Sequence, residues 1–359
     1  MKNHFLRQFL CLLFTIAMFL VSSCPTPLEI SSETSSLEII EHVTRRKKRA
    51  VITVGIVQNG QMSFTVYGEN GKVLPNREYI YEIASITKVF TAQLFAKAMS
   101  EGKVNLNDTI DRFLDLPHKN YYPTIRRLLT HTSGYKMNYY NGTGSLIEAT
   151  PNFEVIGGGV TKVMLLNTIG KINLQDRDYP FEYSNFGIAV AGLVLEKIYN
   201  EDYTSLMNKY LNDNLELFNT RVNNGSVNVS NSWAWSKGNP YIPAAALVST
   251  ITDLMKYAQM QIDELPSYVT LSHTKWAQIN LPLDASGNDF DLKIDDMGLG
   301  WMMCSDYNLI YHIGNTGYTN SFLGFDKSNR IGVVVLVNML GTQSRIIGTA
   351  ILREFMGAK

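Results

Sequence analysis

Strand-like alternation of apolar and polar residues is clearest at the two ends of the chain. Residues 51–57 and 61–67 have this pattern, and Asn59-Gly60 between them is a typical hairpin turn. Three more strands are expected near the other end, at 309–313, 321–325 and 331–338. This order is compatible with a sheet in which the last strands return to pair with the first.

Apolar residues at helical spacing mark four further segments. The predicted helices cover 89–99, 125–129, 244–261 and 344–355. A short strand-like segment, 80–83, precedes the first of them, and Gly102 is a plausible helix stop. The middle of the chain, about 108–240, mixes helices with loops rich in Asn and Gly.

The first 24 residues differ from the rest. Lys2 and Arg7 precede an apolar run from Phe9 to Val21, the layout of a secretory signal peptide, and the run is short for a membrane span. Val21-Ser22-Ser23-Cys24 is similar to a bacterial lipobox, in which the cysteine is lipidated. We expect an exported lipoprotein anchored through Cys24; the alternative is an ordinary signal peptide and a secreted or periplasmic protein.

Residues 25–50 have the composition of a tether. Pro, Ser and Glu are followed by the basic run 45–49. Such a run is most often a solvated segment, although it is also suited to anionic lipid headgroups. The folded domain is expected to begin near Val51.

Charge and cysteine content exclude several classes of protein. Lys+Arg and Asp+Glu each number 32 among 359 residues, so nothing indicates a nucleic-acid-binding protein. Of the three cysteines, processing would remove Cys11 and lipidation would occupy Cys24. Cys304 then remains alone, and no disulfide is expected. No His or Cys spacing suits a metal, and no cofactor is expected.

Ser85-Ile86-Thr87-Lys88 lies where the strand-like segment meets the first predicted helix. Ser85 would begin that helix, and Lys88 would lie on the same face one turn later. A lysine whose pKa is lowered by burial can take the proton of a serine hydroxyl. The free N–H groups of a first helical turn can stabilise an oxyanion.

Ser-x-x-Lys is a common pattern, and the chain contains it four times: at Ser85, Ser100, Ser133 and Ser272. Ser100 falls at a helix end, where the dipole has the wrong sign for an oxyanion. Ser133 precedes Gly134 in a turn-like stretch, and partner motifs do not follow Ser272. Ser85 is therefore the best candidate nucleophile.

Two later motifs strengthen the candidate. In Tyr183-Ser184-Asn185, the tyrosine can carry a proton if a neighbouring cation lowers its pKa, and the asparagine amide can orient a substrate carbonyl. In His312-Ile313-Gly314, followed by Asn315, a glycine on a strand indicates a close backbone approach, such as that of a substrate. The alternatives are an ordinary surface turn and a β-turn with an incidental histidine. The stretch 128–134 is interpreted as structural.

These three motifs occur in the order, and at roughly the separations, of the serine β-lactamase and penicillin-binding-protein superfamily, which the chain resembles. The Tyr-x-Asn form is similar to the class C β-lactamase branch, which includes DD-peptidases, D-aminopeptidases and esterases. The stretches 128–134, 244–253 and 298–301 are also similar to that branch. The resemblance covers about residues 51–355.

The resemblance implies an α/β fold of α+β type in two lobes. An antiparallel sheet flanked by helices would come from about 51–107 and 285–355, and a mostly helical lobe from about 108–284. It also implies roles. Ser85 would be acylated, and Lys88 and Tyr183 would share general-base and proton-relay work. Asn185 would hold the substrate amide, the N–H groups of Ser85 and Asn315 would form the oxyanion hole, and His312 and Gly314 would line the cleft.

The sequence departs from the β-lactamase pattern at His312, where many members carry a lysine. A histidine is mostly neutral at pH 7 and is a weaker partner for the carboxylate of a β-lactam. We therefore expect an acyl-enzyme hydrolase of DD-peptidase or D-aminopeptidase type, with a peptide or small-molecule amide or ester as substrate. A carboxylesterase or weak class C-like β-lactamase is the alternative enzyme, and a non-catalytic binder of penicillin or cell-wall peptides is the alternative of another class.

Overall fold

Strands from the two ends of the chain form one antiparallel sheet in the computed structural model of the protein. The structure describes residues 34–139, 159–225, 227, 232–281 and 292–356. The predicted signal peptide 1–24, with Cys24, and the first part of the predicted tether lie outside these residues.

The large sheet contains nine described strands in the order β3-β2-β1-β12-β11-β10-β9-β8-β7. Their bounds are β1 Ile52–Gln58, β2 Gln61–Tyr67, β3 Val73–Leu74, β7 Ala277–Leu281, β8 Ile294–Met297, β9 Met302–Cys304, β10 Leu309–Asn315, β11 Asn320–Asp326 and β12 Ile331–Val337. A second sheet, β4-β6-β5, contains β4 Tyr81–Glu82, β5 Arg221–Val222 and β6 Leu247–Ser249. The first and last strands of the chain are paired at the centre, where Ile52 lies opposite Val337.

Helices cover both faces of the large sheet, and the rest form the other lobe. Their bounds are α1 Ser36–Arg46, α2 Thr87–Ser100, α3 Ile125–Leu129, α4 Lys162–Lys171, α5 Asn185–Tyr199, α6 Tyr203–Lys209, α7 Ile242–Ala245, α8 Ile251–Asp263, α9 Val269–Ser272 and α10 Gln343–Met356. No helix within the described ranges is long and apolar enough to cross a bilayer.

The alternation along β12 explains its continuous apolar run. Val334 and Leu336 point into the larger core, which includes residues of α2, α5 and α8. Val333 and Val335 point into a second core, against α1 and α10. Because both faces are covered, every position of the strand is buried and apolar residues need not alternate with polar ones.

The structure corrects the predicted tether over 25–50, because residues 36–46 form α1. Ser35 and Glu38 make a capping box that begins the helix. Ile39 and Ile40 are 0% and 2% exposed, and Ser36 donates two hydrogen bonds to Glu354 in α10. This segment therefore belongs to the folded domain.

Two further expectations change. The predicted helix 244–261 is interrupted, because Leu247–Ser249 pairs with β4 and β5 as strand β6, and the long helix starts only at Ile251. The sheet also includes Ala277–Leu281, which the sequence analysis assigned to the helical lobe. β6 pairs with strands distant in sequence, whereas β7 pairs with β8, the next strand along the chain.

Candidate active site

Ser85 lies in a single 3-10 turn that leads directly into α2. The preceding Ala84 has a positive φ of 49°, a strained conformation for a residue with a side chain. The surrounding strands hold the turn: Ile83 N donates to Leu247 O at 3.0 Å, and Ser321 Oγ donates to Ile83 O at 2.9 Å. Ser85 itself is partly exposed, so its hydroxyl is presented at the surface of a rigid framework.

Lys88 lies one turn after Ser85, and its side chain is completely buried. Its Nζ is 2.9 Å from Ser85 Oγ and donates to Ala244 O at 2.7 Å. Burial lowers the pKa of the amine well below its ordinary value, because the charged form loses its hydration. A neutral amine at this distance can accept the serine proton.

The other three Ser-x-x-Lys sites are different. Their lysines are partly exposed and pair with carboxylates: Lys103 with Glu101, Lys136 with Glu182, and Lys275 with Asp296. The Glu182 hydrogen bond raises the pKa of Lys136. Charged amines of this kind are poor general bases, so the burial of Lys88 distinguishes Ser85.

Tyr183 lies beside Lys88, whose Nζ is 4.8 Å from the centroid of the tyrosine ring. Burial raises the pKa of Tyr183 above its ordinary value, and a hydrogen bond with the Ser85 side chain only partly opposes this. The condition stated for the motif, a pKa lowered by a neighbouring cation, is therefore not met at Tyr183. Tyr183 is therefore a neutral hydroxyl rather than a phenolate.

Asn185 follows at the first turn of α5. The middle residue of the motif, Ser184, caps that helix, because its Oγ accepts from Gly187 N at 2.8 Å and donates to Lys136 O at 2.7 Å. The Asn185 side chain donates to Asn138 Oδ1 at 3.1 Å. These hydrogen bonds hold the backbone of Tyr183-Ser184-Asn185 in place at the start of α5.

His131 supports Tyr183 through three contacts. The sequence predicts only a structural role for its stretch, 128–134. His131 Nδ1 accepts from Ser184 N at 3.1 Å, its carbonyl accepts from Glu182 N at 2.9 Å, and its ring centroid is 4.6 Å from that of Tyr183. Burial lowers the pKa of His131, so the ring stays neutral and Nδ1 remains an acceptor. Its positive φ of 58° is a conformation in which histidine is enriched among non-glycine residues.

His312 lies on β10 and is 0% exposed, so the imidazole is enclosed rather than lining an open cleft. Its Nδ1–H donates to Ile313 O at 2.7 Å, and its ring centroid lies 6.3 Å from that of Tyr183. Burial, with the nearby Lys88, lowers the pKa of His312 to about 3. The histidine is therefore neutral and supplies no fixed positive charge.

Gly314 makes the close backbone approach that the sequence predicts, but the neighbour is the protein itself. A Cβ at this position would lie 2.3 Å from both Ile83 O and Ser321 Oγ. Next to it, Thr316 N bonds to Thr319 O across the hairpin. Because N–H directions alternate along an antiparallel strand, the N–H of Asn315 points away from β11, as an oxyanion donor requires.

The structure thus brings Ser85, Lys88, Tyr183 and His312 together, and the last two flank the amine from different lobes. A serine hydroxyl, a buried amine and a phenol at these positions could act as nucleophile, base and proton donor in an acyl transfer. Clusters of three or more His, Cys, Asp or Glu that suit a metal ion do not occur within the described ranges.

A family model and a curated relative both match most of the chain. Residues 38–354 match the family model described as Beta-lactamase. Protein flp of Staphylococcus aureus (strain N315) is 24% identical over 327 residues, which cover 84% of this chain. The chain spans 62% of the length of that relative.

Two solved structures show the same fold. The octameric penicillin-binding protein homologue from Pyrococcus abyssi has a TM-score of 0.68 and 21% identity, over 90% of this chain and 76% of that one. Beta-lactamase/D-alanine carboxypeptidase from Yersinia pestis, complexed with citrate, has a TM-score of 0.67 and 19% identity, over 90% of this chain and 99% of that one.

Proposed function

The chain belongs to the β-lactamase family of serine hydrolases, and from this premise we propose that it hydrolyses amides of D-amino-acid peptides through an acyl-enzyme on Ser85. The observation that carries the proposal is the contact of 2.9 Å between Ser85 Oγ and the buried Nζ of Lys88, whose pKa burial lowers well below its ordinary value. A hydroxyl and a base at this separation need no rearrangement before proton transfer.

Acylation follows from the positions of these groups. Ser85 Oγ attacks the substrate carbonyl carbon while its proton passes to Lys88 Nζ. The N–H groups of Ser85 and Asn315 stabilise the resulting oxyanion, and Asn185 orients the substrate amide. When the C–N bond breaks, the Tyr183 hydroxyl gives its proton to the leaving amine and regains one from Lys88. A water molecule then attacks the acyl group by the same route in reverse.

The environment of His312 supports a peptidase or esterase over an efficient β-lactamase. Its ring is neutral and buried, and Ile313 offers no hydroxyl. A β-lactam carboxylate would therefore lack the fixed cation that pairs with it elsewhere in the family. A carboxylesterase is the second candidate, since an uncharged ester needs no such partner.

We also propose that the protein is exported and held at a membrane by lipid on Cys24. The support is the apolar run that ends in Val21-Ser22-Ser23-Cys24. A Cys24→Ala variant should move from the membrane fraction to the soluble fraction when the two are compared by ultracentrifugation. Equal partitioning of wild type and variant would contradict the anchor.

Intact-mass spectrometry tests the catalytic proposal. Wild type should gain the acyl mass of a fluorescent penicillin, an aryl ester or a D-Ala-D-Ala peptide, and comparison of the three adducts ranks the substrates. Ser85→Ala should abolish the adduct, and Lys88→Ala and Tyr183→Phe should each slow its formation by about 10²–10⁴.

Ser272→Ala is the matched control, because Ser272 is a buried serine of another Ser-x-x-Lys site. This variant should be acylated like wild type. An adduct on Ser272, or undiminished labelling of Ser85→Ala, would refute the assignment. A protein that binds penicillin reversibly, without any mass shift, would instead be a non-catalytic binder.

A further inference from the structure

Glu82 is a buried carboxylate three residues before Ser85, and the reaction proposed above does not use it. Glu82 is 1% exposed. Carboxylates are rarely buried to this extent unless they are paired with another group. Both carboxylate oxygens accept from Trp233 N at 3.1 Å. The strand that leads to the nucleophile is thus joined to the segment 232–239, which is distant in sequence.

The main chain of the same strand is joined to a second distant element, the β10–β11 hairpin. Glu82 O accepts from Thr319 Oγ1 at 2.8 Å, and Thr319 faces Thr316 across the turn. A Cβ on Gly317, in that turn, would lie 3.5 Å from the Trp233 indole nitrogen. Glu82 therefore lies where the nucleophile strand, the Trp233 segment and the hairpin after Asn315 meet.

The groups that face the Glu82 carboxyl are uncharged. They are the backbone N–H of Trp233 and the side chains of Trp235, Asn223 and Thr316, all of which favour the ionised carboxylate. Burial acts in the opposite direction and outweighs them, raising the pKa of Glu82 to about 7. Both oxygens of the ionised carboxylate accept from Trp233 N, whereas protonation turns one of them into a donor and weakens that bond.

We propose that Glu82 is a positioning residue, which in its ionised form holds the Trp233 segment and the Asn315 hairpin in register with Ser85. The inference rests on the proposed function, because its effect is felt through the oxyanion donor at Asn315. Protonation weakens the anchor and lets the hairpin and the Trp233 segment separate from the nucleophile strand. The acylation rate of wild type should therefore rise as pH increases through 7.

The kinetic test compares Glu82→Gln with wild type between pH 5 and 9, on whichever substrate acylates wild type. The amide keeps the size of the side chain but has one acceptor oxygen and cannot ionise. We expect kcat/KM at pH 8 to fall about tenfold, as for one lost buried hydrogen bond to a charged group, through kcat rather than KM. The rise of kcat/KM with pH near 7, the pH limb of wild type, should disappear in Glu82→Gln. A limb that persists in Glu82→Gln, or wild-type activity at pH 8, would overturn the proposal.

Asp326→Asn is the matched control. Asp326 is also a carboxylate 1% exposed, accepts from Ser328 N at 2.8 Å, and lies in the large sheet at the end of β11 away from Asn315. The variant loses the same kind of anchor and should lose stability while keeping the pH profile of wild type. An equal loss of the pH limb in this variant would show that any buried carboxylate has the effect, and would refute a specific role for Glu82.

Tryptophan fluorescence provides a readout that does not depend on activity. Trp233 and Trp235 adjoin the carboxyl, so wild-type emission should titrate near pH 7 and that of Glu82→Gln should not. Trp301 adjoins His273, whose pKa burial lowers to about 4, so it does not interfere. A flat wild-type titration would overturn the proposal. Absence of any acyl adduct in wild type, together with a normal titration, would instead contradict the proposed function and the kinetic role of the anchor.

Discussion

His131 supports Tyr183 through a hydrogen bond from Ser184 N and through contact between the two rings. Replacing His131 with Phe tests the first of these contributions. The phenyl ring keeps the aromatic contact but removes the acceptor at Nδ1, which leaves the Ser184 N–H unpaired. A buried N–H without a partner costs about 1–3 kcal/mol. Phe is also less suited than His to the φ of 58°, which adds about 1 kcal/mol. We expect the free energy of unfolding to fall by about 2–4 kcal/mol.

The acylation rate should fall further than stability explains, because Tyr183 loses support while the protein remains folded. His131→Asn is the matched variant, since Asn adopts a positive φ readily and can offer an acceptor close to the position of Nδ1. It should lose only ring packing, about 0.5–1.5 kcal/mol. Urea unfolding gives the stabilities, and aryl-ester acylation at low urea gives the rates. If His131→Phe unfolds at the wild-type midpoint and acylates at the wild-type rate, the reasoning is wrong.

Three other variants test the site. Lys88→Met should slow acylation by about 10²–10⁴, like Lys88→Ala, yet raise the free energy of unfolding at pH 7. The pKa of Lys88 is lowered in the native state, so below pH 10.5 the unfolded chain binds a proton that the native state does not, and the native state loses stability as pH falls. Denaturant melts at pH 7 and 9 measure the difference in the free energy of unfolding between wild type and variant. The same difference at both pH values would contradict the prediction. Gly314→Ala should destabilise the protein by about 1–3 kcal/mol through overpacking and slow acylation, because its Cβ would push on Ile83 O, 2.3 Å away; a thermal melt unchanged from wild type would disprove the close contact. His312→Lys should increase acylation by penicillin relative to an uncharged aryl ester, because it adds a positive charge for the substrate carboxylate; an unchanged ratio of the two rates would refute this account of substrate choice.

The sequence predicts those parts of the fold that depend on local pattern. The hairpin at Asn59-Gly60, the three strands after residue 308 and the final helix are confirmed to within two or three residues. The sequence also predicts the passage from strand to helix at Ser85, although a 3-10 turn intervenes. In each of these segments, the turn residues and the spacing of the apolar residues predict the same secondary structure.

The sequence analysis is wrong where tertiary pairing decides. Ser35 and Glu38 carried the signal of a helix start, but the composition of the surrounding residues suggested a tether. The apolar run before Ile251 suits a helix and a buried strand equally well, and only its partners β4 and β5 decide between them. The role of His131 depends on contact with a residue 52 positions away, Tyr183, which no local sequence pattern indicates.

The pairing of β1 with β12 also determines when the protein can fold. One edge of β1 pairs locally with β2, but at its other edge Ile52 lies opposite Val337, and Ser36 at the start of α1 donates to Glu354. A nascent chain must therefore have exposed β12 before the second edge of its first strand is paired. Contacts between residues so distant in sequence slow folding and leave strand edges open to wrong partners in the meantime. Joining the two ends of the domain by a short peptide, with new ends elsewhere, would convert this long-range closure into a local one and should accelerate folding.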